Sequence, residues 1–233
     1  MKIVFLSISI IFIGTTTFAF GAATDYMTKL EHDGCEYVVS SDYSAENNVV
    51  IKQDLNGDMQ PDILLGFQAY SGPKVKAPAS FMVLGKEEKG KFILQHIIQG
   101  NDRFDKVELV DIDKDGSDEI VFWSGGGMHY TTLRIYRYND AKLKCLFANG
   151  SACGIKFEPT GAIPAIRVGR ANWDKEGWCY ADEPLWEVWE WKGKRFQYNR
   201  PQSTTLQAAS EQKETGGLLG KYEEMVMVED QKE

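Results

Sequence analysis

Histidine is scarce: only His32, His96 and His129 occur in 233 residues. General acid–base chemistry near neutral pH leans on this side chain, so an enzyme built here would have few proton carriers. A GxSxG nucleophile elbow is absent. Ser124 has Phe122 two residues before it, and the run Gly125-Gly126-Gly127-Met128-His129 leads into another strand-like stretch, not a helix. That run reads as a turn between strands. Zinc-type CxxC or Cys/His spacings are missing. So is any basic run of five or more, in a chain whose formal charge is −8. This argues against nucleic acid as a partner, because neutralising phosphates takes patches of Lys and Arg. No long helical period is visible before residue 200.

Residues 1–23 carry Lys2, an apolar run from Ile3 to Ile13 broken only by two serines, and the small residues Ala19, Gly21 and Ala23. This is the order of a cleaved export signal. The run is short for a ~30 Å hydrocarbon core, and Thr15-Thr16-Thr17 interrupts it. No stable membrane span is therefore expected after cleavage. No cysteine directly follows the small residues, which argues against a lipid anchor. The expected location is secreted or periplasmic. Cys35, Cys145, Cys153 and Cys179 all lie beyond this segment. In an oxidising compartment an even count suggests two disulfides, in any of three connectivities. Cys145 and Cys153 could close a small loop across FANGSA, and buried free thiols are the alternative.

The region 24–200 reads as short strands separated by turn signals, and its fold class is all-β. Strands are expected at 37–40, 49–53, 62–67, 81–85, 92–97, 106–110, 119–123, 131–138, 143–146, 165–168, 185–191 and 195–198. SFMVLGKEEKGKFIL, TLRIYRYNDAKLKCL and LWEVWEWKGKRFQYN each read strand, turn, strand, with turns near Lys86, Asn139 and Lys192, 53 residues apart. Residues 201–233 are polar and are expected to form a disordered tail.

A second repeat is acidic. VELVDIDKDGSDEIVFW, from Val107 to Trp123, places Asp111, Asp113, Asp115, Ser117 and Glu119 at loop positions 1, 3, 5, 7 and 9. IKQDLNGDMQPDILLGF places Asp54, Asn56, Asp58, Gln60 and Asp62 at the same positions, 57 residues earlier. Alternating oxygens in a tight loop suit Ca²⁺, which takes six to eight of them. An EF-hand is excluded, because position 12 is Leu65 or Phe122 where a bidentate Glu is needed, and the flanks are strand-like. In the third unit the region IRVGRANWDKEGWCY has no alternating carboxylates and is expected to have lost the metal.

These loops resemble the DxDxDGxxD loop of FG-GAP (VCBS-type) repeats, as in integrin α-chain β-propellers. The resemblance implies a Ca²⁺ loop joining two strands of each blade. Glu119 stands for the usual Asp, and Met59 holds the usual Gly position while Gly57 lies two residues earlier. The fold expected is a propeller-like set of three to four blades, in which either residues 25–50 supply part of a fourth blade or the assembly is incomplete or open; a β-sandwich is the alternative. Oligomerisation would be another way to complete it. The function expected is a non-enzymatic, exported Ca²⁺-binding module that recognises or adheres to a protein or glycan ligand. The alternatives are an exported glycan hydrolase, for which Glu187 and Glu190 are the candidate carboxylates, and a purely structural envelope protein. Trp173, Trp178, Trp186, Trp189 and Trp191 lie within nineteen residues and suit either packing between blades or a sugar-stacking face.

Overall fold

The computed structural model describes residues 23–39, 48–71, 77–127, 129–170 and 185–199. Among them the chain is all-β, apart from one 3-10 turn at Ala23–Asp25. The strands are β1 (Lys29–His32), β2 (Cys35–Val39), β3 (Asn48–Gln53), β4 (Asp62–Ser71), β5 (Ala77–Glu88), β6 (Lys91–Gln99) and β7 (Arg103–Val110). They continue with β8 (Glu119–Gly126), β9 (Tyr130–Asn139), β10 (Lys142–Ser151), β11 (Ile155–Glu158), β12 (Ala165–Arg170), β13 (Leu185–Trp191) and β14 (Phe196–Tyr198). Every pairing is antiparallel.

Three sheets result among the described residues. The second is the meander β7-β8-β9-β10 and the third is β11-β12-β13-β14. The first contains the meander β3-β4-β5-β6, and the β1–β2 hairpin joins it at the far end of β4. There β2 pairs with Ala69–Ser71 while β3 pairs with Asp62–Phe67, so two strands share one edge end to end. The strands within residues 25–50 thus belong to the first sheet, and among the described residues they form no fourth unit. A two-sheet sandwich does not accommodate the third meander. The tail 201–233 and the segment 1–22 lie outside the described residues.

Tight hairpins come from two-residue turns with positive φ at both positions, the geometry that matches strand twist. Asp33-Gly34, Lys89-Gly90 and Asp140-Ala141 all have it. The glycine-rich turn expected at Ser124–Gly127 is mostly strand: Ser124, Gly125 and Gly126 continue β8, and only Gly127 bends. Small residues there leave room for a neighbour, since a Cβ on Gly125 would collide with the Arg103 guanidinium.

Strand alternation sends successive side chains to opposite faces, and this stacks the sheets. Ile63, Leu65 and Phe67 pack with Tyr37, Val39, Phe81 and Val83 beneath the β1–β2 hairpin. Leu64, Met82 and Leu84 point the other way, against Phe104, Ile120, Phe122 and Tyr136 of the second sheet. Val121, Leu133 and Ile135, on that sheet's other face, pack against Ile166, Val168, Trp191 and Phe196 of the third. Gly66 lets the first two sheets approach, because a Cβ there would lie 2.6 Å from the Phe104 ring. Neither Cys35 nor Cys145 is disulfide-bonded in this structure, whereas Cys153 is. The loop across FANGSA is therefore not closed by a Cys145–Cys153 bridge in this structure, and Cys179 lies outside the described residues.

Candidate metal centre

Both acidic loops join the first two strands of a meander: 54–61 link β3 to β4, and 111–118 link β7 to β8. They share a backbone design. The position-1 carboxylate caps its own loop: Asp54 accepts the amides of Gly57 and Met59, and Asp111 those of Asp115 and Gly116. The position-9 acid reaches back to the amide of position 2, Leu55 N to Asp62 at 3.0 Å and Ile112 N to Glu119 at 2.9 Å. Leu55 and Ile112 are buried, plugging each loop into the core. At position 5, Asp58 accepts from Gln60 N and Asp115 from Ser117 N, both at 2.8 Å.

Positions 4 and 6 have positive φ in both loops: Gly57 (78°) and Met59 (63°), then Lys114 (61°) and Gly116 (90°). Each loop has one glycine for two left-handed sites and places it at a different one. Met59 is thus no break in the pattern, although a bulky side chain in that region carries a steric cost.

The loops diverge in what remains for a cation. In the second, one carboxylate oxygen each from Asp111, Asp113 and Asp115 lies within 4.8 Å of the others. Asp113 Oδ1 is buried and accepts no hydrogen bond. Ser117 sits at the position for a backbone ligand, and the buried Glu119 closes the loop. Among the described residues only this loop gathers three carboxylates so closely. In the first loop Asn56 Oδ1 accepts from Asp58 N at 3.0 Å, and Asn56 Nδ2 donates to Asp58 at 3.2 Å. Asp62 Oδ1 is buried without a hydrogen bond, 3.7 Å from Lys86 Nζ.

Two cations at the loops are not evident from the linear pattern. Lys86 Nζ bonds Asp58 Oδ2. Arg137 donates from Nη2 to Asp113 at 2.8 Å and from Nε to Glu119 at 2.7 Å, with Nη1 3.7 Å from Asp115. In the sequence Lys86 reads only as the start of a hairpin. The available signal is register: Lys86 stands opposite Asp62, and Arg137 opposite Glu119, one step beyond the Ile120–Tyr136 pair.

Burial pushes the Glu119 and Asp62 carboxyls above their ordinary range, against the amide and cation contacts that lower them. Asp58, exposed and bonded to Lys86, is held below it. Burial works against charge on Arg137 too, but its hydrogen bonds to Asp113 and Glu119 more than compensate and its pKa rises. At both position-9 acids burial thus outweighs the contacts that favour the charged form.

The hydrolase candidates are not arranged for joint work. Glu187 and Glu190, three apart on β13, face opposite sides of the sheet. Glu187 pairs with Arg170 at 2.8 Å, and Glu190 with Lys192 at 2.8 Å. Ser124 Oγ shares a hydrogen bond with Thr132 Oγ1 at 2.6 Å inside the sheet and is buried. Trp189 packs on Phe147 and Tyr198, and Trp191 on Phe196. Trp186 lies on the opposite face under Lys156 Nζ, 4.6 Å from its ring centroid. Trp173 and Trp178 lie outside the described residues.

In the third sheet the junction of its first two strands is Pro159–Pro164, without one carboxylate. The stretch 166–180, expected to correspond to the acidic loops, instead covers most of β12 and the residues beyond it, one junction later in the meander. No described helix is long and apolar enough to cross a membrane, which leaves strand-built spans untouched. Compared with known proteins, the chain matches no family model, no curated protein and no solved structure.

Proposed function

We propose that this chain is an exported, non-enzymatic β-repeat module whose loop Asp111–Glu119 holds a structural Ca²⁺. The observation that carries the reading is Asp113 Oδ1, buried and without a hydrogen bond beside the carboxylates of Asp111 and Asp115. A buried carboxylate oxygen with no donor costs free energy, and a hard cation supplies what is missing. Asp111, Asp113, Asp115 and Glu119 would provide side-chain oxygens and Ser117 its carbonyl. The ion would neutralise the loop and tie β7 to β8. Ca²⁺ is favoured over Mg²⁺ because an irregular set of carboxylates and a carbonyl tolerates seven or so ligands better than a strict octahedron. Asp54, Asn56, Asp58, Gln60 and Asp62 form a weaker site, since position 3 is an amide already bonded to Asp58 and not a third carboxylate.

The stacked meanders fit blades of a propeller-like assembly of the FG-GAP type, left open or completed by a second copy. Recognition of a protein or glycan then falls to the loops and edges around the stack, with the metal as a fixed strut. The glycan-hydrolase alternative has no observation in its favour.

Binding to the native state alone adds RT ln(1 + [L]/Kd), about 2.7 kcal/mol at a hundredfold excess over Kd. For a chain of this size that corresponds to roughly 5–10 °C in Tm. Chelator should lower the melting temperature by that order and Ca²⁺ restore it. Asp113→Ala should remove most of the response, and Asp58→Ala little of it. A melting curve indifferent to chelator, in protein shown by elemental analysis to be metal-free, would sink the calcium reading. Mass spectrometry of protein recovered from outside the cytoplasm should find a first residue between Ala22 and Asp25; a chain retaining Met1 in the membrane fraction would refute cleavage.

A further inference from the structure

Arg137 is placed oddly for a residue whose only task is packing. Its side chain is 26% exposed, yet it reaches three of the loop's carboxylates. On one side it meets Asp113, Asp115 and Glu119; on the other its Cζ lies over the Trp191 ring of the third sheet, 5.9 Å from the centroid. The first repeat puts Lys86 at the same point of its meander, against Asp58 and Asp62. A cationic side chain directly across from the position-9 acid therefore occurs in both loops, once as a guanidinium and once as an ammonium.

We propose that Arg137 is a resident counter-cation of the loop Asp111–Glu119, which holds the metal-free loop folded and competes with a divalent cation for the same carboxylates, so that it sets the loop's metal affinity. This rests on the Ca²⁺ reading of that loop. The competition is one of lone pairs and of charge. Asp113 Oδ2 and Glu119 Oε1 are spent on Arg137, leaving Asp113 Oδ1 as the unsatisfied oxygen. An ion that takes six to eight oxygens must draw on these groups, and a guanidinium beside it repels it. When the carboxylates turn to the ion, Arg137 loosens and its contact with Trp191 changes. Metal binding in the second sheet is thereby reported in the third.

The test compares wild type, Arg137→Gln and Arg137→Lys by calcium titration calorimetry, by melting in chelator, and by tryptophan emission during the titration. Arg137→Gln should bind Ca²⁺ about tenfold more tightly, since a repelling charge at short range is gone. It should also melt lower than wild type in chelator, because the loop carboxylates have lost their neutraliser. Ca²⁺ should change the tryptophan emission of wild type, and that change should vanish in Arg137→Gln. Arg137→Lys keeps the charge but loses the fork, and its affinity should fall between the two. Should Arg137→Gln not fold, an Arg137→Lys affinity no higher than wild type overturns the proposal. Equal or weaker Ca²⁺ binding by Arg137→Gln, with wild type binding normally, overturns it while leaving the calcium site intact. Absence of binding in all three proteins overturns both.

Discussion

At the residue scale, each loop meets the same backbone demand with different side chains. Position 6 is Gly116 in one and Met59 in the other, and Met59 is 87% exposed, so nothing but its left-handed backbone constrains it. The left-handed conformation costs an L-residue roughly 1–2 kcal/mol, more than the 0.5–1 kcal/mol of extra chain entropy that glycine loses on folding. Met59→Gly should therefore raise stability by about 0.5–1 kcal/mol, read as a higher urea midpoint in chelator; a lower midpoint would mean the side chain makes contacts that matter. Asp62 gives a pH test. Its folded pKa is raised by burial, so in metal-free protein its ionisation favours the unfolded state as pH climbs through the folded value. The stability associated with its protonated form is fully present below the unfolded carboxylate pKa and is lost above the folded one. Asp62→Asn should thus be more stable than wild type in chelator at neutral pH, with the difference closing on acidification through the carboxylate range. A gap that widened towards acid would reverse the sign and refute the assignment.

At the scale of elements, most strands are legible in the sequence because alternation and turn chemistry agree. All twelve expected strands occur, β13 with unchanged bounds. The two without a sequence signal, β1 and β11, are four residues each. KLEH and IKFE are too short and too charged for a period to declare itself. The acidic loops are legible as spacing, since Asp and Asn at alternate positions need no tertiary information. Arg137 and Lys86 are not, because they reach the loops only through pairing across two strands, 18 and 24 residues downstream of the acids they face. The third junction lies elsewhere than expected for a related reason. Counting from hairpin turns assumes equal strand lengths, whereas β11 is four residues and β7 eight. Gln53 Nε2 donates to Asp118 Oδ2 at 2.7 Å, joining the strand before the first loop to the second loop itself. This link is equally invisible in the linear pattern.

At the scale of the whole molecule, position in the stack sets how exposed each sheet is. The second sheet packs its even-numbered β8 residues, Ile120 and Phe122, on the first sheet, and Val121 on the third. The outer sheets each place one face against it. To expose β8 both interfaces must open, whereas the third sheet can separate by opening one. Amide hydrogen exchange should register this as a hierarchy: β8 and β9 exchanging only with global unfolding, and β11 and β14, as edge strands, exchanging through smaller openings. Protection as strong in β14 as in β8 would contradict it. The calcium-binding candidate loop opens into β8, a strand packed on both faces. An ion there would be clamped to the slowest-opening part of the molecule, and its release would be governed by motions of the loop and Arg137 rather than by breathing of the fold.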